Sequence, residues 1–276
     1  MKDYLKDIAS GPTNKLLARS RAVEYCHERI LQILQERGAF QHWIFHGGTA
    51  LRFLYSLPRY SEDLDFALVD KINTPDFCDV IQSVQRAFEA EAYNVQLKIN
   101  DRKTVKSSFI RFPGLPYELG LSPHQSEVLA VKVELDTNPP VGGTTMTTII
   151  RRNILLNLFH HDRQSLLSGK LHAILSRRYI KGRDVYDLFW YLSEPTWPEP
   201  NLIFLNNALR QTQWAGPEVT KKNWAYLIVD RLETIDWYKV VEDVHPFIER
   251  VSDLALLKRE NIVKLLKSRA GETVES

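Results

Sequence analysis

Gly47-Gly48-Thr49 follows a short apolar run, His42–Phe45, and precedes a helical segment, so two glycines sit at a strand-to-helix turn. Lacking Cβ atoms, they let the backbone come close to a ligand. The free amides of the helix start, with the positive end of its dipole, suit a phosphate. Further along, SEDLDFALV (Ser61–Val69) alternates: Leu64, Phe66 and Leu68 share one face, and Asp63 and Asp65 share the other with Ala67. Carboxylates at i and i+2 of a strand stand about 6–7 Å apart at Cα, close enough to converge on one or two Mg²⁺ ions, hard cations that prefer oxygen ligands. A third acid, Glu134, lies on the polar face of another strand, Glu127–Asp136. Taken singly, a Gly-Gly pair is a turn and a D-x-D is a solvated strand face. Together, a phosphate cradle and a carboxylate trio are the equipment of metal-assisted nucleotidyl transfer.

Those residues need elements to hold them. Apolar residues at helical spacing predict a helix over Lys15–Arg37, which Gly38 stops. A strand at His42–Phe45 then runs into the glycine turn, and a helix from Ala50 to about Ser56 ends before Pro58. After the Ser61–Val69 strand, Pro75 opens a helix to about Ala92, and Asn94–Asn100, Val105–Phe112 and Glu127–Asp136 read as strands. From Asp162 onward only helical signals occur, with Pro195, Pro198 and Pro200 marking a hinge between helices. Val251–Lys267 reads as a basic amphipathic helix, and the final GETVES is expected to fray. The expectation is an α+β fold: helices and a mixed-sheet core over residues 1–150, then a mostly helical domain over 151–276.

Composition narrows the class. Of 276 residues, 44% are apolar and 25% charged, which excludes a disordered tail protein. Lysine and arginine total 36 against 34 acids, which excludes a polycationic nucleic-acid coat. No run approaches 18 apolar residues, so no segment is expected to span a membrane. The start, MKDYLKDIASG, has no apolar signal core, and the expected location is the cytoplasm. Cys26 and Cys78 are too few for a disulfide framework and read as reduced, buried thiols.

The stretch FHGGTALRFLYSLPRYSEDLDF (Phe45–Phe66) resembles the signature of the AbiEii/AbiGii-type nucleotidyltransferase toxins, distant relatives of the polymerase-beta nucleotidyltransferase superfamily. A second block, GKLHAILSRRYIKGRDVYDLFWYL (Gly169–Leu192), resembles that family's later K-x-x-A…R…RD-x-x-D-L motif. The likeness covers about residues 41–192; the C-terminal third carries no matching motif. Thr49 replaces the serine of the wider superfamily, and its distance to Asp63 is longer than usual there. The resemblance implies a polymerase-beta-like core and the toxin half of a toxin–antitoxin pair, often linked to phage defence, with an antitoxin protein as partner. It implies that NMP passes from an NTP to the 3′ acceptor end of tRNA, or to another target. Gly47, Gly48 and Thr49, with Ser61 nearby, would hold the triphosphate, and Asp63 and Asp65 would bind Mg²⁺. Glu134 would ligate a metal or draw the proton from the attacking hydroxyl. Lys170 would contact the NTP phosphates, and Asp184 matches the motif aspartate.

The residues also carry readings of their own. On a helix over Arg183–Leu192, Asp184 and Asp187 share a face, where they either serve catalysis or brace two helices in an ion-pair network. Lys132 shares a face with Glu134 and is expected to pair with it; Arg59 and Ser61 either anchor a phosphate or fix the turn. Over Val141–Leu192 eight Lys/Arg stand against three acids, and Arg151, Arg152, Arg177, Arg178 and Lys181 are candidates for a nucleic-acid-binding patch. Arg102, Lys103, Lys106 and Arg111 could extend it. His160-His161-Asp162 reads as surface histidines before a helix N-cap. Two rivals stay open: transfer to a Ser, Thr or Tyr hydroxyl of a protein, and a non-enzymatic module that binds only a nucleotide or a partner.

Overall fold

The computed structural model describes residues 2–11, 14–70 and 74–271, so Glu272–Ser276 of the expected frayed end lie outside the described residues. The chain divides into two units: Met1–Pro139 with Met146–His160, and Pro140–Thr145 with His161–Ser276.

The first unit opens with α1 (Lys2–Ser10) and α2 (Lys15–Glu36), followed by β1 (Trp43–His46), α3 (Gly47–Tyr55), β2 (Asp63–Leu68), α4 (Phe77–Ala90), β3 (Gln96–Asn100), β4 (Val105–Pro113), the single turn α5 (Leu115–Glu118) and β5 (Val128–Asp136). A hairpin of β6 (Thr145–Arg151) and β7 (Leu155–His161) completes a seven-stranded sheet among the described residues, in the order β3-β4-β5-β2-β1-β7-β6. β1 runs antiparallel to β2 and parallel to β7, while β2 runs parallel to β5.

Alternation decides which side of this sheet is core. Leu64 and Phe66 of β2, Val131, Val133 and Leu135 of β5, and Ile110 and Phe112 of β4 are buried on one face. There Phe45 stacks on Phe66 at 5.3 Å and Trp43 lies 5.7 Å from the same ring. Phe112 meets Phe88 of α4 edge-on at 5.0 Å. Helices α2 and α4 cover this face. Their starts are capped as their sequences dictate: Asn14 accepts from the Leu16 amide and Asp76 from those of Cys78 and Asp79.

Periodicity places no strand at 145–161, yet the β6–β7 hairpin lies there. β6 (TMTTIIR) and β7 (LLNLFHH) alternate in burial, but sit directly after the Pro139-Pro140 and Gly142-Gly143 breakers. His160 and His161 are buried rather than at the surface. A ring nitrogen of His160 meets the Thr148 hydroxyl at 2.8 Å, and the His161 ring packs on Phe204 at 5.0 Å. Asp162 is the expected cap, accepting from the Ser165 amide at 2.8 Å. Cys26 is buried, but Cys78 is half-exposed, its thiol 3.6 Å from Asp101.

The second unit holds α6 (Arg163–Ser176), α7 (Gly182–Leu192), α8 (Leu202–Gln211), α9 (Trp224–Glu233), α10 (Trp237–Val244) and α11 (Arg259–Arg269). Leu171 and Ile174 of α6, Val185 and Leu188 of α7, Ile228 and Leu232 of α9 and Ile262 and Leu266 of α11 are buried. The expected helix at Val251–Lys267 is instead a 3₁₀ stretch, Val251–Leu256, followed by α11. The proline-rich hinge is pinned by side chains: Tyr191 donates to Pro198 O at 3.0 Å and Arg269 to Trp197 O at 2.7 Å. Among the described residues no helix is long and apolar enough to cross a membrane.

Candidate active site

In the first unit, β1 delivers the chain to a helix that starts at Gly47, earlier than the sequence suggests. Gly47 has φ +80°, which L side chains rarely adopt, and a Cβ there would overlap Asp65 Oδ2. A Cβ on Gly48 would stand 2.6 Å from Arg59 Nη2 and 3.1 Å from Ser61 Oγ. The two glycines are therefore required by close approach from both sides. Arg59 is buried, and its Nη1 donates to Tyr60 O at 2.8 Å. Of the two readings open for Arg59 and Ser61, fixing the turn has direct geometric support.

Thr49 is buried inside the first turn of α3, and its hydroxyl donates to the Asp63 carbonyl. Its side chain ties helix to strand, so only its backbone amide is left to face a phosphate. The preceding carbonyl, Glu62 O, is met at 3.0 Å by Nε2 of His27, from α2. Burial pushes the His27 ring down to about 4, so it is neutral and donates this bond. Two successive carbonyls at the entry to the D-x-D are thus held by buried side chains. His27 carries no sequence signal beyond its place on the buried face of α2.

Asp63 and Asp65 leave the same side of β2. In the parallel pairing with β5, Asp65 stands beside Glu134 and Asp63 beside Lys132, so the three acids share one face. Glu134 is held by Lys132 at 2.8 Å, as expected. Burial, and then the charge of Asp65, push the Asp63 carboxyl up to about 6, with Lys132 opposing and Glu62 and Glu134 adding to the rise. Excess negative charge in a half-buried place suits a hard cation. Among the described residues no three His, Cys, Asp or Glu form a ready-made metal cage. Mg²⁺ needs none, because it is commonly bound through one or two carboxylates together with substrate phosphates and water.

In the second unit, Lys170 of α6 meets Asp184 at 3.0 Å and Asp187 at 2.6 Å, both on α7. Arg177 also pairs with Asp184. Asp187 is 0% exposed, so this network braces α6 against α7 in a low-dielectric interior. The spacing i, i+3 brings both carboxylates to one cation. Of the basic candidates, Arg178, Lys181 and Arg151 are exposed. Arg152 is turned inward, donating to Glu24 at 3.0 Å and to Arg52 O at 2.7 Å, with its guanidinium over Phe53. These contacts brace the first unit.

A glycine turn at a helix start, flanked by strand carboxylates on a mixed sheet, is the arrangement expected of a nucleotidyltransferase. The chain belongs to the nucleotidyl transferase AbiEii toxin family of type IV toxin–antitoxin systems, whose family model matches residues 29–250. Its fold is similar to that of MenT4, a nucleotidyltransferase toxin from Mycobacterium tuberculosis, with TM-score 0.60 and 15% identity over 99% of this chain and 90% of that one. JHP933 from Helicobacter pylori is also similar, with TM-score 0.55 and 18% identity over 91% of this chain and 92% of that one. No curated protein matches the sequence.

Proposed function

We propose that this toxin-family nucleotidyltransferase is Mg²⁺-dependent and transfers NMP from an NTP to the 3′ end of a tRNA. The observation that supports it is the shared face of Asp63, Asp65 and Glu134 beside the Gly47–Gly48 turn. Triphosphate oxygens lie against the backbone amides at the start of α3, where the dipole favours negative charge. Asp63 and Asp65 would hold the divalent ion, which when bound would offset phosphate charge and lower the barrier to in-line displacement. Glu134 stands on the opposite flank of β2 from the turn. Paired with Lys132 at rest, it is the group to accept the proton of the attacking hydroxyl as pyrophosphate leaves. The family motif gives Lys170 the part of a cation for NTP phosphates, and Asp184, which pairs with it at 3.0 Å, matches the motif aspartate.

The family membership implies a cognate antitoxin protein and an NTP substrate. The test incubates the protein with each α-³²P-labelled NTP, total tRNA and Mg²⁺. Label enters RNA with the parent and not with Asp63→Ala, and chelation of divalent ions abolishes it. Label that resists RNase and yields to protease would move the acceptor to a protein hydroxyl. An Asp63→Ala protein labelling at the parental rate would overturn the assignment.

A further inference from the structure

The face that carries the acids does not end at β5. Through the registers of β2, β5, β4 and β3, Asp63, Lys132, Phe109 and Lys98 form one cross-strand row, and Asp65, Glu134, Ser107 and Asn100 form the next. Arg111 follows on β4, paired with Gln96 and Ala130. The neighbours on the other face, Ile110, Phe112, Val131 and Val133, are buried. Phe109 instead is 39% exposed, with the Lys132 ammonium 5.9 Å from its ring. Lys98 and Arg111 beside it are exposed. Among the described residues, β3 and β4 add cations and no acid to this face. Cross-strand packing does not account for a large aromatic there, because the residues paired with Phe109 on either side, Lys132 and Lys98, are both cations.

Strand order gives this platform a direction. The Gly47 turn belongs to the β1 flank of the acids, and Phe109 belongs to the β5–β4 flank. Two strand spacings set the Phe109 Cα about 10 Å from that of Asp63. In-line displacement requires the attacking oxygen to enter opposite the leaving pyrophosphate. With the triphosphate at the α3 amides, the acceptor must come across β5 and β4. We propose that Phe109, Lys98 and Arg111 form the acceptor subsite, which takes the single-stranded 3′ end of an RNA. A base stacks on Phe109, and the two cations meet the phosphates behind it. Aromatic stacking with flanking cations is how single strands are held without sequence readout. The inference rests on the transferase reading above, and it adds the path by which the acceptor arrives.

The test uses the full chain with two readouts. For transfer, Phe109→Ala raises KM for tRNA about tenfold, the size expected from losing one stacked base, with KM for NTP unchanged. Phe109→Trp restores it, which a merely structural role would not predict. For binding, the Asp63→Asn protein is titrated with a short 5′-fluorescein-labelled single-stranded RNA. Phe109→Ala in that background weakens binding by the same factor, and Lys98→Ala and Arg111→Ala each lower the salt slope by about 0.7. RNA binding that depends on Phe109 while no variant or parent transfers label would leave the subsite standing and sink the transferase reading. Parental RNA affinity in the Phe109→Ala/Arg111→Ala protein overturns the subsite. So does an equal loss of NTP affinity, which would make Phe109 a nucleotide-base contact, or label directed to protein alone.

Discussion

Asp63 sits where its own charge is costly. Burial and the neighbouring Asp65 carboxylate together raise its carboxyl to about 6, so at neutral pH the fold holds an anion it disfavours. An acid raised above its unfolded value binds more protons folded than unfolded, so its stabilising contribution is present at low pH and is lost as pH rises through about 6. Asp63→Asn should therefore stabilise the protein by on the order of 1 kcal/mol at pH 7, after allowance for solvent screening, while abolishing transfer. Parallel denaturant titrations and labelling assays check it; a destabilised Asn variant would show the carboxylate to be needed for folding. His27 carries the opposite sign. Its ring is neutral and lowered to about 4, so the unfolded chain takes the proton first as acid is added. That contribution is complete above about 6.5 and is lost as pH falls toward 4, to a total of about 3 kcal/mol. His27→Gln retains an N–H donor for Glu62 O and should flatten the fall in unfolding free energy between pH 6.5 and 4.5. An unchanged slope would mean that other groups dominate acid unfolding.

At the scale of elements, the site is made by helix and strand ends meeting under constraint. Thr49 and His27 reach the carbonyls of Asp63 and Glu62 from two different helices, so β2 is positioned before any ligand arrives. The glycine turn and the D-x-D were legible because special backbone and alternating carboxylates leave a mark in the residue types themselves. The Thr49 and His27 contacts were not, because a buried polar side chain reads the same whatever it touches. Phe109 did leave a signal, an apolar residue out of phase in β4. The second motif block shows how a family motif and a brace coincide. Lys170 is shared between Asp184 and fully buried Asp187, and breaking a buried pair leaves an uncompensated charge. Lys170→Met should cost about 3–5 kcal/mol, read by denaturant unfolding. The Lys170→Met/Asp187→Leu double variant should recover most of that stability and still fail to transfer. Recovery of both would reduce Lys170 to a brace.

On the scale of the whole molecule, the first unit is discontinuous in sequence. Met146–His160 returns to it after Pro140–Thr145 has joined the second. The α+β class and the helical second half followed from periodicity, whereas this return did not, because breakers mask the start of β6. The return matters physically because β7 pairs in parallel with β1 through Phe45 and His160. Without it β1, with its buried Trp43 and Phe45, becomes an exposed apolar edge, the form of strand that aggregates. A fragment ending at Pro139 keeps α1 to β5 with Asp63, Asp65 and Glu134, so local sequence alone would nominate it as a minimal catalytic unit. Its sheet would nonetheless end at β1. Such a fragment should fail to unfold cooperatively, whereas one ending at His160 should show a single sigmoidal transition in urea with native-like far-ultraviolet circular dichroism. Cooperative folding of the shorter fragment would show that β6 and β7 decorate the sheet rather than close it. The longer fragment also tests the part that the family motif gives Lys170. Carrying Asp63, Asp65, Glu134 and the Gly47 turn but not Lys170, it should bind Mn²⁺ as a paramagnetic probe of the carboxylates while failing to transfer nucleotide. Absence of Mn²⁺ binding would show that these three carboxylates do not hold a divalent ion by themselves.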